Sequence, residues 1–198
     1  RIPVKSNDVK LPFHTIPVGV VFKGEVCITI SFHKTEMLTD FVTYTKRKNI
    51  NIKDNFDLVF KLLLSSSVLF LKYLKQVNQK IKLAEDNLEK SIKNEELQAL
   101  LQIEKCLVVF MTSLKGNDIL LHRIKNIKSQ KEHFDLDLLE DVEIELRQAQ
   151  ETTNIYSDIL TGTMDAYASV ISNNMNTIMK QMTSISIILM IPTLIASL

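Results

Sequence analysis

The chain has 198 residues, 45% of them hydrophobic, and its 24 Lys and Arg nearly balance 23 Asp and Glu. That length can bury a real core as one large domain or two small ones, and the charge balance leaves no whole-chain field to attract nucleic acid. With 4 Gly and 4 Pro there are few turn signals, so long helices are expected. Cys27 and Cys106 form no CxxC pair and read as buried thiols in a reducing compartment.

The N-terminus, RIPVKSNDVKLPFH, carries no signal-peptide pattern, and Arg1 in place of Met reads as a boundary in a longer protein. The only strand signal runs from His14 to Phe32. Thr15 to Phe22 is rich in Val and Ile, Lys23-Gly24 supplies a turn, and Val26, Ile28, Ile30 and Phe32 alternate with Cys27, Thr29 and Ser31. This predicts a β-hairpin, which needs further strands or a covering helix to be stable.

Thr35 is placed to cap a helix from Glu36 to about Lys48, with Lys46, Arg47 and Lys48 complementing the dipole of its last turn. Residues 54–92 are helical in pattern. The first half, FDLVFKLLLSSSVLFLKYLK, is apolar on much of its circumference and reads as a buried domain helix; Lys61 and Lys72 argue against a membrane span. The second half, QKIKLAEDNLEKSIKNEEL, is polar enough to project from the core. Asn94 caps the next helix, with Glu95 and Glu96 in its first turn, and Gly116-Asn117-Asp118 breaks or kinks it. Two antiparallel helices joined near Lys93 are the simple arrangement.

The last helix is expected to begin near Asp135 or Asp137 and to continue to the end. Asp135, Asp137, Glu140, Asp141, Glu143 and Glu145 crowd its first turns, where negative charge favours a helix N-terminus. About sixty residues at roughly 1.5 Å each reach about 90 Å, too far for one globular core, so this helix is a stalk packed on its neighbours or on copies of itself. Leu139, Val142, Leu146, Ala149, Thr153, Tyr156, Leu160, Thr163, Tyr167, Val170, Asn174 and Thr177 trace the expected seam. After Lys180 there is no formal charge, and the eighteen remaining residues fall just short of the about 20 that cross a bilayer. Asn176, Met179, Thr183, Ser186, Met190, Thr193 and Ser197 recur every three or four residues as one polar stripe on this apolar helix. Such a stripe either lines a water-filled passage or packs small groups between helices.

The segment MNTIMKQMTSISIILMIPTLIAS, with YSDILTGTMDAYASVISNN before it, resembles the membrane-entry region of CorA-type magnesium transporters. There a long cytoplasmic helix runs into the first membrane helix and ends at a Tyr-Gly-Met-Asn signature, which would begin where this sequence stops. The resemblance implies an α+β, mostly helical fold. In it, residues 1–60 are the C-terminal part of an α/β/α cytoplasmic domain whose other strands precede Arg1. Residues 54–134 form long antiparallel helices, 135–182 a stalk, and 183–198 the start of the first transmembrane helix. It implies a homopentamer in the plasma membrane, multi-pass in the parent protein, in contact with lipid and passing Mg²⁺, with Co²⁺ or another divalent cation also admissible.

By the same resemblance Asp141 is an intersubunit regulatory Mg²⁺ ligand, with Asp137 and Glu145 weaker candidates. Asn176, Met179, Met182, Met190 and Thr193 line or constrict the pore. Mg²⁺ takes one or two carboxylates and keeps several waters, so a single Asp per copy suffices, whereas helix-dipole complementation alone accounts for the same acids. His14, His33, His122 and His133 show no metal-ligand spacing, and Lys131 to Asp135 reads as a connector. No nucleophile elbow, P-loop or dinucleotide-binding glycine pattern occurs, so no enzyme is expected. The alternatives are a zinc, cobalt or nickel transporter of the same superfamily, or a membrane-tethered helical scaffold.

Overall fold

The computed structural model describes residues 1–6, 11–24, 26–33, 35–90, 94–127 and 135–197. Four short strands, β1 (Ile2–Lys5), β2 (Phe13–Ile16), β3 (Val18–Lys23) and β4 (Val26–Ser31), precede α1 (Glu36–Arg47), α2 (Asn55–Lys90), α3 (Asn94–Lys125) and α4 (Leu136–Ala196). The expected hairpin is β3–β4, in antiparallel register from Val18 opposite Ser31 to Lys23 opposite Val26. Gly24 takes φ +61 in its turn, a conformation open to glycine.

Where one strand is expected before the turn, the chain forms two, and a further strand precedes them. Pro17 lacks an N–H and splits Thr15–Phe22 into β2 and β3. β1 pairs antiparallel with β2, Ile2 opposite Ile16, in a separate two-stranded sheet. Its four residues include Pro3, too little for an alternation signal.

Thr35 caps α1 as expected, its hydroxyl accepting from the Met37 N–H. Asn49, at φ 51, ends that helix in the left-handed conformation, and the Ile50 N–H returns to the Thr45 carbonyl at 3.0 Å. Ile2, Ile16, Met37 and Leu62 form a small core under the strands, joined by Val18, Val20, Leu38 and Phe41.

The main core lies among α2, α3 and α4. Phe60, Phe70, Leu74, Val77 and Ile81 of α2 meet Leu100, Cys106, Leu107, Phe110 and Leu114 of α3 and Leu139, Val142, Leu146 and Leu160 of α4. Phe110 stands edge-on to Phe70 at 5.1 Å between ring centres, and Phe13 of β2 stacks on Tyr73 at 4.7 Å, fastening strands to helices. Thr15 and Ser113 share a hydroxyl hydrogen bond of 2.7 Å across the same junction.

Three expectations change here. Gly116-Asn117-Asp118 does not interrupt α3; Asn117 is buried and its amide donates to the Arg1 carbonyl at 2.8 Å, so it serves as a tie inside a continuous helix. The second half of α2 does not leave the core: Ile81, Ala84 and Leu88 are buried, and of its described apolar residues Leu83 faces solvent, while Ile92 lies outside the described residues. Cys106 is buried as expected, but Cys27 on β4 is only half-buried. The joint near Lys93 and residues 131–134 of the connector lie outside the described residues.

Candidate metal-sensing stalk and membrane-entry helix

α2 and α4 run parallel, α3 antiparallel between them in sequence. Lys53, just before α2, donates to Asp135 at 2.7 Å, and Glu85 near the far end of α2 accepts from Thr163 of α4, also at 2.7 Å. Lys125 at the end of α3 pairs with Glu143. The helices thus accompany α4 from its first turn to about Tyr167, whose hydroxyl donates to the Glu85 carbonyl at 3.2 Å. From Ala168 onward every described residue of α4 except Ile171 is exposed.

The start of α4 divides its acids into two sets. Asp135 is the N-cap, its carboxylate accepting from the Leu138 N–H at 3.2 Å. The Lys53 ammonium and that N–H hold its carboxyl below the usual range, and Lys53 is raised in turn by the Asp135 carboxylate. Asp135 and Glu143 are therefore occupied by cations of the same chain. Asp137, Glu140 and Asp141 are exposed and Glu145 is half-buried, and among the described residues none of these four has an ion-pair partner.

Asp137 and Asp141 stand one turn apart on the same side of α4. Among the described residues no group of three or more His, Cys, Asp or Glu forms a metal cluster. One copy therefore presents free carboxylates without enclosing an ion. That donor set fits a hydrated hard cation that takes one ligand from each of two chains, since Mg²⁺ retains several of its waters.

The seam read from the sequence turns out to be the intramolecular face. Leu139, Val142, Leu146, Ala149, Thr153 and Leu160 are buried against α2 and α3, with Tyr156, Met164 and Tyr167 packed beside them. Its upper members, Val170, Asn174 and Thr177, are exposed because the accompanying helices have ended. A second stripe, Ile144, Ile155, Ile159, Gly162, Ala166 and Val170, stays exposed along α4, and Asp137 and Asp141 continue it toward the N-terminus. Steps of three, four and eleven could have revealed it in the sequence, where the stronger Leu-rich seam masked it.

Asn176, Met179, Met182, Met190 and Thr193 are all exposed on the bare part of α4. Asn176, Met179, Met190 and Thr193 share one stripe with Thr183 and Ser186, and Met182 lies at its edge. The hydroxyls donate within the helix: Thr183 to the Met179 carbonyl at 2.8 Å, Ser186 to that of Met182 at 2.9 Å and Thr193 to that of Met190 at 2.8 Å. With the O–H donors satisfied, each oxygen keeps acceptor capacity turned outward, which suits either water in a passage or a neighbouring helix.

Among the described residues two helices are long and apolar enough to cross a membrane, α3 and α4. In α3 the apolar residues include the buried Leu100, Ile103, Leu107 and Phe110, which make it a core helix. The apolar window of α4 is fully exposed. Pro192 lies inside α4 and the helix continues past it to Ala196.

Comparison with known proteins adds four findings. A family model described as CorA-like Mg²⁺ transporter protein matches residues 3–198. The cobalt/magnesium transport protein CorA of Methanocaldococcus jannaschii is 24% identical over 201 residues, covering 97% of this chain and 61% of that protein. The complete structure of the CorA magnesium transporter from the same organism superposes with TM-score 0.65 at 22% identity, over 92% of this chain and 62% of that one. The structure of its soluble domain gives 0.54 at 19%, over 83% and 72%. The chain thus spans about three fifths of the full-length relatives it matches.

Proposed function

We propose, from the premise that this chain belongs to the CorA-like Mg²⁺ transporter family, that it is the sensing and membrane-entry part of a divalent-cation channel that passes Mg²⁺. The observation that carries this reading is the continuity of α4: one helix of 61 residues runs from an acidic first turn to an apolar, wholly exposed end. A change in how its lower part is held is a change in the direction of its upper part.

The assembly we infer is a homopentamer in the plasma membrane. The exposed stripe from Ile144 to Val170 is the face that meets a second copy, because the Leu-rich seam is already filled within the chain. Asp141, with Asp137 beside it and Glu145 a turn beyond, stands at the lower end of that face. Mg²⁺ held there between copies compensates their like charges and favours the closed ring. At low Mg²⁺ the carboxylates repel and the stalks spread. Asn176, Met179, Met182, Met190 and Thr193 then form the passage, the methionines excluding water when the ring is tight and admitting a hydrated cation when it widens. The ion moves down its gradient. Cobalt is a second cargo for the same hydrated route, in keeping with the name of the Methanocaldococcus jannaschii relative.

The test is limited proteolysis of the full-length protein in detergent, with native mass spectrometry, at zero and millimolar Mg²⁺. The reading predicts a pentamer whose stalk is protected by Mg²⁺, with protection lost in Asp141→Ala. A monomer or dimer indifferent to divalent cations would instead make α4 the tether of a helical scaffold.

A further inference from the structure

We propose that Glu85 is a latch that holds the end of the α2–α3 pair to the stalk just below the unsupported part of α4, and that Mg²⁺-dependent movement works by opening it. The inference rests on the channel reading above for what moves, and on three observations for where it moves.

The first is position. Among the described residues Glu85 makes the last hydrogen bonds between α4 and the rest of the chain: its carboxylate accepts from Thr163 at 2.7 Å and its carbonyl from Tyr167 at 3.2 Å. From Tyr167 to Asn176 is about 13 Å of helix, so the latch sits directly under the polar stripe.

The second is chemistry. The other Ser and Thr hydrogen bonds shown on α4, from Thr153, Thr161, Ser169, Thr177, Thr183, Ser186, Thr193 and Ser197, go back to carbonyls of α4 itself. Thr163 has the same local alternative in the carbonyl four residues before it, and its bond crosses to Glu85 instead. Opening the latch therefore does not strand the Thr163 donor, which can fall back on its own helix, and the half-buried Tyr167 hydroxyl can turn to water.

The third is leverage. Lys53 with Asp135 ties α2 to α4 at the other end, roughly 45 Å away along parallel helices. With the lower tie beside the acidic turn and the upper one at Glu85, a small tilt of the stalk start relative to α2 pivots on the packed core between them and is felt at the upper contact.

The experiment uses the full-length protein in a Cys27→Ser background, since buried Cys106 does not react. Glu85→Cys with Thr163→Cys is bridged by a short bis-methanethiosulfonate and Mg²⁺ flux is read in proteoliposomes. Bridging is expected to cut flux at least tenfold, with full recovery on dithiothreitol. Glu85→Gln keeps the acceptor and is expected to keep the Mg²⁺ concentration for half-closure; Glu85→Ala and Thr163→Val are expected to raise it at least threefold.

In parallel, spin labels at Asp86→Cys and Asp165→Cys, both exposed positions beside an intact latch and off the Ile144–Val170 stripe, are read with and without Mg²⁺. They are expected to give one narrow distance with Mg²⁺ and a longer, broader one without. Separation of the labels without any flux in the unmodified protein would keep the latch and remove the channel reading. Flux that is unaffected by the bridge, with labels unmoved by Mg²⁺, would overturn the latch and keep the channel.

Discussion

Leu160 and Ile159 are adjacent on α4 and face opposite partners, which makes them a sharp test of which side of the stalk belongs to the fold. Leu160 is 0% exposed and Ile159 46% exposed. Truncating Leu160 to Ala removes buried carbon worth about 2.5 kcal/mol at ~0.8 kcal/mol per methylene. The cavity left between α2, α3 and α4 adds roughly 1 to 2 kcal/mol more, within the range of about 2 to 5 kcal/mol for such changes. Ile159→Ala starts from a side chain about half in water and costs the fold about 1 kcal/mol or less. For a chain of this size ~1 kcal/mol moves the melting temperature by about 2 to 4 °C. Thermal melts followed by circular dichroism at one protein concentration should therefore place Leu160→Ala roughly 10 °C below the parent and Ile159→Ala within about 4 °C of it. Native mass spectrometry should reverse the ranking, with Ile159→Ala the more dissociated assembly. Equal losses of melting temperature, with the assembly of Ile159→Ala intact, would refute the assignment of the two faces.

Gly162 stands mid-helix with nothing within 4 Å of where a Cβ would sit. Within one chain Gly162→Ala should therefore stabilise α4 by about 0.5 to 1 kcal/mol, read as a rise in melting temperature at a concentration where copies are apart. Burial pushes the Cys106 thiol up to about 12, so iodoacetamide at pH 8 should label Cys27 in the folded protein and reach Cys106 only in denaturant. Lys53 and Asp135 fix the acid response of the stalk's first turn. The carboxyl is lowered by Lys53 and the Leu138 N–H, so its contribution is complete above its unfolded pKa near 3.8 and is lost as pH falls through the lower folded value. An acid melt of Asp135→Asn should lack that part of the loss. At the alkaline end Lys53 is raised, so the pair persists until pH passes above 10.5.

The helices were the legible part of this fold, because long apolar periodicity and caps such as Thr35 and Asp135 are local signals. The strands were less so: Pro17 cuts one apolar run into pieces of four and six residues and Pro3 sits inside another of four, so pairing partners decide the outcome. Gly116 and Asn117 mimic a helix stop, yet α3 runs through them, with Leu114 and Leu121 buried on either side and Asn117 tied to Arg1. On the stalk, periodicity revealed an apolar face and could not say what fills it. The Leu-rich face meets the chain's own helices, and the weaker Ile face is left open. The acids were visible as a cluster, yet which of them remain free depends on Lys53 and Lys125, which lie 82 and 18 residues from their partners. Glu85 carried no sequence signal, since a lone Glu on a polar helix looks like any solvated residue.

The central claim is tested most directly by Mg²⁺ entry into proteoliposomes containing the full-length protein and a Mg²⁺-sensitive dye. The account predicts dye response down an inward Mg²⁺ gradient without ATP, slowing as Mg²⁺ accumulates on the stalk side and continuing unslowed in Asp141→Ala. Vesicles that stay dark under the same gradient, with a correctly assembled protein in the membrane, would contradict it.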